Sequence, residues 1–286
     1  METILKGAGK EVVIGSDRPT VIIGERINPT GKKKLAAALL AGDLEVVRQE
    51  ALAQVEAGAD VLDVNVGAAG VDEVDLLPRA VRLVLETVDV PVCIDTPNAE
   101  ALAAALAVHK ELLPDGKPLV NSVNGEEGSL RRVLPLVAEH GAAVIGLCMD
   151  DEGIPATPER RLTVAKKIIE RAEEVGIPRE DVIIDCLALT VGADSKAGWT
   201  TLEAIRMVRE ELGVNMTLGA SNISFGLPER EVINRAFIAI AIATGVNCPI
   251  VDAAKVRPYI LATDLVLGRD DYAMRYIQAF RRRRSG

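Results

Sequence analysis

Acidic and carboxamide side chains recur where short β-branched segments of this sequence end. Asp95, Asn121 and Asp185 each close or follow such a segment, and Asn222 follows another. A carboxylate accepts two adjacent N–H groups in parallel, whereas a carboxamide offers one donor and one acceptor. These groups suit a flat heterocycle that carries an amine and a ring N–H beside a carbonyl. The residue types therefore predict a site for a pterin or a purine and do not choose between them.

The same pattern repeats at the ends of other segments. Polar residues at these further ends are Glu25, Asn28, Asp63, Asn65, Ser221 and Asp252. A single Asp or Asn at such a position commonly caps the next helix, and Asn98 and Asp43 are interpreted in that way. Helix capping explains one residue well but explains six segment ends poorly. We therefore expect one shared polar site.

Other chemistries find less support in the residue types. His109 and His140 fall on predicted helices, and no Lys or Cys closes a segment end as a nucleophile. A Ser-His-Asp or Cys-His arrangement therefore lacks its partners. Hard cations bind carboxylates, but the Asn residues among the acids weaken that alternative, so we expect no tightly bound metal.

Strand-like and helix-like segments alternate along the chain. Short β-branched runs predict eight strands, and the Ala, Leu, Glu and Arg segments between them have helical spacing. The predicted strands are Val21–Ile27, Asp60–Val64, Val92–Ile94, Pro118–Asn121, Ala143–Leu147, Val182–Asp185, Met216–Leu218 and Cys248–Val251. The predicted helices are Lys33–Leu40, Leu44–Ala57, Glu73–Val88, Ala99–Lys110, Leu130–His140, Thr157–Val175, Thr201–Leu212, Arg230–Ala243, Val256–Leu267 and Asp270–Arg281.

Eight such units predict an α/β fold, a single (β/α)8 TIM barrel over residues 1–286. An open doubly wound sheet is the alternative, but no G-x-G-x-x-G motif follows the first strand. Residues 1–20 are too few for another unit, and Glu11–Gly15 predicts a hairpin strand that covers the barrel floor. Barrels carry their chemistry on the loops after the strands, where the polar residues fall.

Composition restricts the partners and the compartment. The net charge of −9 argues against a nucleic-acid partner. The basic run Arg281–Arg284 is interpreted as a solvated tail over residues 281–286, with an RNA or protein contact as the alternative. No apolar run is long enough for a membrane span, and no signal peptide opens the sequence. The four separated cysteines predict buried thiols in a reducing cytoplasm.

Five motifs occur in an order that resembles a known family. They are Gly24–Gly31 (GERINPTG), Asp63–Gly67 (DVNVG), Asp95–Asn98 (DTPN), Asn121–Glu126 (NSVNGE) and Gly219–Phe225 (GASNISF). Together they resemble the pterin-binding domain of methyltetrahydrofolate methyltransferases. That family includes the methyltetrahydrofolate:corrinoid/iron-sulfur protein methyltransferase and the folate domain of cobalamin-dependent methionine synthase. The resemblance extends over residues 20–280.

The resemblance implies a dihydropteroate-synthase-like TIM barrel, usually a homodimer, that holds the pterin at its top. It implies 5-methyltetrahydrofolate as substrate, cobalamin or another corrinoid on a partner protein, and transfer of the N5-methyl group between them. Asp95, Asn121 and Asp185 match the pterin hydrogen-bonders, Asn222 matches the residue that reaches N5, and Arg230 matches a rim arginine near the folate tail. Supporting members of the network are Glu25, Asn28, Asp63, Asn65, Gly219 and Ser221.

Two departures and two alternatives accompany this resemblance. Phe225 stands where the corrinoid/iron-sulfur branch often has a polar residue, and the homocysteine and cobalamin modules of methionine synthase are missing. Dihydropteroate synthase is one alternative, although Gly67–Val71 does not match its second loop and Ser221-Asn222 replaces a lysine. A non-catalytic folate-binding subunit of a methyl-transfer complex is the other. The partner protein, the pathway and the direction of transfer stay open.

Overall fold

Eight parallel strands form a barrel with helices around it in the computed structural model. The structure describes the backbone of residues 1–285 and the side chains of residues 1–282. The barrel strands are β3 (Ile23–Ile27), β4 (Val61–Val64), β5 (Val92–Asp95), β6 (Leu119–Asn124), β7 (Ala143–Leu147), β8 (Val182–Asp185), β9 (Met216–Thr217) and β10 (Ile250–Val251). Neighbouring strands pair in the order β10-β3-β4-β5-β6-β7-β8-β9, each pair parallel.

The last two strands meet and close the barrel. A parallel bridge joins Gly219 to Ile250, and the Ile250 amide donates to the Leu218 carbonyl at 3.0 Å. The predicted TIM barrel is therefore confirmed, and the open doubly wound sheet is wrong. The bounds of β7 and β8 agree with the sequence prediction, whereas β9 and β10 are each shorter by one or two residues.

The helices lie between the strands in chain order. They are α1 (Lys33–Leu40), α2 (Glu45–Glu56), α3 (Glu73–Thr87), α4 (Ala99–Leu112), α5 (Glu127–His140), α6 (Pro158–Glu174), α7 (Ala197–Leu212), α8 (Arg230–Thr244), α9 (Ala253–Val266) and α10 (Met274–Ser285). Asn98 caps α4 as predicted, since its side chain accepts from the amides of Glu100 and Ala101. Gly141 and Gly213 end α5 and α7 in the left-handed region, with φ of 61° and 62°.

Three helices begin earlier than their spacing predicts. The helices α5, α7 and α9 begin three or four residues before the predicted Leu130, Thr201 and Val256. Their first turns carry mostly small or polar residues, and the one large apolar residue among them, Trp199, is exposed. Hydrophobic periodicity therefore does not mark these turns. Within the described residues, no helix is both long and apolar enough to cross a membrane.

The barrel interior continues into the N-terminal hairpin. Strands β1 (Glu2–Lys6) and β2 (Glu11–Gly15) pair antiparallel, and Leu5, Val12 and Ile14 belong to the same buried cluster as the inward residues of the barrel. The Lys6 amide donates to the Lys117 carbonyl just before β6, at the N-terminal end of the strands. The hairpin therefore packs on the barrel floor and leaves the opposite end for the site.

Helix α10 continues past its predicted end. It extends through Ser285, four residues beyond the predicted Arg281, and Arg281 and Arg282 are exposed. The solvated tail over residues 281–286 stays a prediction. Gly286 and the side chains beyond Arg282 lie outside the described residues. All four cysteines are buried and free, as predicted.

Candidate active site

Side chains alternate along each barrel strand, and this alternation brings the polar residues together. The inward apolar layer contains Ile23, Val61, Cys93, Leu119 and Ile183. Successive side chains of a strand point to opposite faces, so residues two positions later point inward again, one layer higher. Those residues are Glu25, Asp63, Asp95, Asn121 and Asp185. The chain thus places a polar layer directly above its apolar interior.

Two carboxamides bind two of the carboxyl groups in this layer. The Asn121 Nδ2 donates to Asp63 Oδ1 at 3.1 Å, and the Asn65 Nδ2 donates to Asp95 Oδ2 at 3.0 Å. Asp95 and Asn121 are also register partners on β5 and β6. The four side chains on β4, β5 and β6 therefore form one connected network with fixed orientations.

Burial changes the protonation of the two acids. Burial and the neighbouring Asp95 charge hold the pKa of Asp63 well above its usual value. Burial also raises the pKa of Asp95 to about 6, although hydrogen bonds from Asn65 and Asp63 oppose the increase. Asp63 thus keeps its proton and uses it to donate a hydrogen bond to the Asp95 carboxylate. At neutral pH, Asp95 is the ionised member and the acceptor available to a ligand.

Asp185 ends β8 and is buried. Its Oδ1 accepts from the Leu187 amide at 2.7 Å, and the Gly219 amide also donates to it. Burial raises its pKa to about 6, whereas these two amides and the charge of Arg161 lower it. A buried carboxylate fixed by two amides is an ordered acceptor for paired N–H donors of a ligand.

Arg161 holds the segment after Asp185, and the sequence prediction missed it. Its guanidinium is 1% exposed and donates to the carbonyls of Cys186 and Leu187, both at 2.8 Å. A signal was present, because Arg161 lies four and seven residues before the buried Ala165 and Ile168 on one face of α6. A charged residue on the buried face of a helix needs polar partners inside the protein. The partners of Arg161 are the carbonyls of the segment that follows Asp185, so Arg161 holds that segment in position.

Asn222 lies in a 3₁₀ turn, Ala220–Ser224, directly after β9. The Asn222 amide closes the turn on the Gly219 carbonyl at 3.3 Å. The side chain is exposed at the rim, and its Nδ2 would be 3.3 Å from a Cβ added at Gly219. A side chain larger than hydrogen at Gly219 would therefore crowd Asn222.

A charged cleft of about 190 Å³ adjoins this turn. The Ser221 Oγ donates to Glu25 Oε1 at 3.3 Å, and Arg230 donates to the Ser221 carbonyl at 2.7 Å. Residues lining the cleft are Glu25, Arg26, Ser221, Arg230, Glu231, Asn234, Arg235, Asp252, Lys255 and Val256. Arg230 also lies over the Phe225 ring at 5.8 Å, so it braces the turn from outside.

A second cavity of about 280 Å³ opens between β5 and β6. It is lined by Asp95 and Asn121 and continues outward to Asn124, Glu126 and Arg132. The polar layer is therefore accessible from the rim.

The predicted site residues thus separate into groups. Glu25, Asp63, Asp95, Asn121 and Asp185 share the inward layer, with Asn65 bound to it; Gly219, Ser221 and Asn222 form the adjoining turn. Arg230 faces the cleft. Asn28 accepts from the Thr30 amide at 2.9 Å and so serves its own loop. The roles assigned to these residues in binding and catalysis stay predictions. Sequence reasoning did not select Lys32, Asn234 or Arg235. Lys32 donates to the Glu25 and Arg26 carbonyls, and Asn234 and Arg235 line the cleft.

Comparisons with known proteins identify the family of this chain. The family model described as pterin binding enzyme matches residues 24–252. The chain is 33% identical over 275 residues to the methylcorrinoid:tetrahydrofolate methyltransferase of Eubacterium limosum. This match covers 93% of this chain and 98% of that protein. It is 34% identical over 258 residues to the methionine synthase of Mycobacterium leprae, where the match covers 85% of this chain but 21% of the relative.

Solved structures resemble the fold at lower identity. The dihydropteroate synthase of Yersinia pestis in a sulfonamide complex aligns with a TM-score of 0.70 and 15% identity, covering 94% of this chain and 99% of that one. The dihydropteroate synthase of Stenotrophomonas maltophilia aligns with a TM-score of 0.67 and 21% identity, covering 89% and 95%. These likenesses concern the barrel alone. By the family model and the 33% identical relative, the chain belongs to the family of pterin-binding enzymes.

Proposed function

We propose that this chain is a methyltransferase that moves the N5-methyl group of 5-methyltetrahydrofolate to the Co(I) corrinoid of a separate protein, or in reverse. The observation that carries the proposal is the inward layer of Asp95, Asn121 and Asp185 beside Asn222. The relative of nearly equal length is named as a methyltransferase between methylcorrinoid and tetrahydrofolate, which supports the same reaction here.

The layer suits the pyrimidine edge of a pterin. Asp185 and Asp95 are ionised at neutral pH and accept N–H donors, while Asn121 can donate to a ring carbonyl. Because the heterocycle is flat, groups on β5, β6 and β8 can reach its edge together. We assign Asn222, on the turn after β9, to the contact with N5.

Methyl transfer from N5 is slow without help, because a tertiary amine is a poor leaving group. The enzyme must hold the methyl group in line with the nucleophile and stabilise the charge that changes at N5. An Asn222 side chain that donates to N5 as its lone pair develops would stabilise the transition state more than the ground state.

The corrinoid must approach from the rim, because the barrel floor is covered by the β1–β2 hairpin. Phe225 is 69% exposed and lies three residues after Asn222. An exposed aromatic side chain beside a site is a common anchor for a protein partner. We assign Phe225 to the surface that contacts the corrinoid protein.

A second copy of the chain is proposed to cover the outer face of α8 and α9. A groove of about 610 Å³ lies there, lined mainly by apolar residues, and Val266 is 86% exposed beside it. Apolar patches of this kind mark interfaces, and two-fold dimers are the commonest assembly. Ile240→Asp should convert a dimer to a monomer in analytical ultracentrifugation; a monomeric wild type would contradict the proposal.

The cytoplasm is the proposed compartment of this protein. The four free thiols support it, because the cytoplasm keeps thiols reduced.

The test is methyl transfer by the purified chain. Under anaerobic conditions, 5-methyltetrahydrofolate and free cob(I)alamin are mixed with the protein, and loss of the Co(I) absorbance is followed. We expect enzyme-dependent formation of methylcobalamin and tetrahydrofolate. Pterin binding without transfer to either free or protein-bound Co(I) would favour a non-catalytic subunit. Condensation of p-aminobenzoate with a pterin pyrophosphate would instead identify a dihydropteroate synthase.

A further inference from the structure

The proposed reaction consumes a proton, and this inference depends on that reaction. When the bond between N5 and the methyl carbon breaks, its electron pair stays on N5, which takes up one proton. The methyl carbon forms its new bond with the electron pair of Co(I). The products are tetrahydrofolate, with the new proton bonded to N5, and the methylated corrinoid, so the site needs a group that supplies one proton.

Three carboxyl groups of the inward layer are already committed to other partners. Asp63 holds its proton toward Asp95, and Asp95 accepts from Asn65 at 3.0 Å. Asp185 accepts from two backbone amides. In the proposed complex, Asp95 and Asp185 must be ionised to accept the pterin N–H groups. Asp185 adjoins the Asn222 turn through the Gly219 amide, but as an ionised acceptor it has no proton to release.

Glu25 is the fourth inward carboxyl group, and it lies on the other side of the Asn222 turn. It is on β3, two residues after the inward Ile23, and it accepts from the Ser221 hydroxyl at 3.3 Å. Ser221 directly precedes Asn222. A hydroxyl both donates and accepts, so Ser221 can pass a proton that a backbone amide could not.

The surroundings of Glu25 shift the pKa of its carboxyl group upward. Burial and the nearby charge of Asp252 raise the pKa of the Glu25 carboxyl, while Lys32, Ser221 and Arg26 oppose that increase. Lys32 itself has a lowered pKa, since it is half-buried and lies near Arg26. The other charged groups that line the same cleft are Arg230, Glu231, Arg235 and Lys255. Glu50 lies outside this lining and pairs with Arg26.

Solvent can reload this carboxyl group. Glu25 and Ser221 both line the cleft of about 190 Å³, which opens to the rim next to the turn. The cleft is separate from the cavity between β5 and β6, so it stays accessible while a heterocycle occupies the inward layer. A proton can therefore enter from bulk water without passing the pterin.

We propose that Glu25 stores the proton that N5 takes up, and delivers it through the Ser221 hydroxyl and cleft water to the Asn222 side of the pterin. In the opposite direction of transfer, N5 loses a proton and Glu25 receives it. Glu25 is thus a proton-holding residue that acts through Ser221 and does not touch the methyl group.

The experiment compares Glu25→Gln with wild type in single-turnover transfer from saturating 5-methyltetrahydrofolate to free cob(I)alamin across a pH series. The amide keeps the size and the acceptor of the side chain but has no ionisable proton. Expected results are a rate at least about tenfold lower near neutral pH and loss of the decline in rate as pH rises, because general acid help supplies about 10²–10⁴-fold. Pterin affinity should stay within about twofold of wild type.

Glu50→Gln is the matched control. It removes a carboxyl group from the same surface, next to Arg26, but not from the cleft, and should leave rate and pH profile unchanged. Glu25→Asp, which restores a carboxyl group with a shorter reach, should recover the pH dependence in part. A Glu25→Gln protein with the wild-type rate and pH profile would overturn the proposal.

Ser221→Ala provides an independent variant if Glu25→Gln does not fold, as judged by circular dichroism. It keeps the carboxyl group and removes the proton path, so it should slow transfer while leaving pterin affinity unchanged. A wild-type rate in Ser221→Ala would also contradict the proposed path. If wild type itself transfers no methyl group, the proposed function fails instead, which separates the two failures.

Discussion

Side chains on the two sides of the barrel mouth are held by different kinds of partner. On the β4, β5, β6 and β8 side, Asp63, Asp95 and Asp185 are buried or half-buried and fixed by amide donors from regular strands or their immediate continuation. On the β9 and β3 side, Ser221 and Asn222 lie in a short turn beside an open charged cleft. Rigid acceptors suit recognition of a heterocycle. An exposed turn suits a side chain that must adjust its hydrogen bond as charge develops on N5.

The first prediction tests the reaction side. Asn222→Ala should lower kcat about 100-fold, comparable with loss of one donor to developing charge, and should change pterin affinity much less. Steady-state transfer to cob(I)alamin and calorimetric titration with 5-methyltetrahydrofolate measure the two quantities. Equal losses in both would place Asn222 on the recognition side of the comparison.

The second prediction tests the recognition side. Asp185→Ala removes a charged acceptor from a buried site and should weaken pterin binding by about 1.5–3 kcal/mol, roughly 10- to 150-fold in Kd. Titration calorimetry gives the affinity, and Asp60→Ala, an acid on the floor side paired with Lys10, is the control. Unchanged affinity in Asp185→Ala would remove this residue from the pterin site.

The third prediction concerns pH on the recognition side, where stability and pterin affinity should change with opposite sign. Burial raises the folded-state pKa of Asp185 to about 6, above the value near 3.9 of an unfolded chain. The folded protein therefore holds this proton more tightly, and the stability of the ligand-free protein should fall as pH rises from about 4 to 6. Pterin affinity should change in the opposite sense, falling about tenfold from pH 7 to pH 5 as the carboxylate is protonated.

Urea unfolding and pterin titration at each pH measure these two trends. Asp185→Asn cannot titrate at this position, so its stability and affinity should depend less on pH than those of wild type. If stability and affinity of wild type both rise with pH over this range, the buried carboxyl group does not govern either.

The fourth prediction has the smallest expected effect and extends the reaction side outward. Phe225→Ala should lower kcat/KM for a corrinoid protein about two- to tenfold, as expected for one exposed interface residue. Transfer to free cob(I)alamin should be nearly unchanged, because no protein surface is contacted. Leu52→Ala, an exposed apolar residue on α2, is the matched control. An equal effect on both acceptors would place Phe225 in the pterin site itself.

Much of the barrel could be predicted because strands and helices are marked by patterns within short stretches of sequence. The alternation of β-branched runs with helical segments predicted the fold, and the bounds of β7, β8 and α1 agree with it. The ends of β9 and β10 were less predictable, since only two residues of each form ladder pairs. The convergence of Asp63, Asp95, Asn121 and Asp185 follows from the alternation of side chains along parallel strands.

By itself, the sequence determined the strand order, the polar layer and the family. Hydrophobic periodicity and the five short motifs are properties of residues that are neighbours in the chain. The tertiary structure alone decided which acids have a raised pKa, because the pKa depends on burial and on partners from other strands, such as the Asp95 charge and the Asn121 amide beside Asp63. It also decided that Glu25 lies against Ser221, 196 positions away, and that Arg161 supports the segment after Asp185. The contact between Glu25 and Ser221 arises only when the barrel closes, since closure brings the first barrel strand close to the last two.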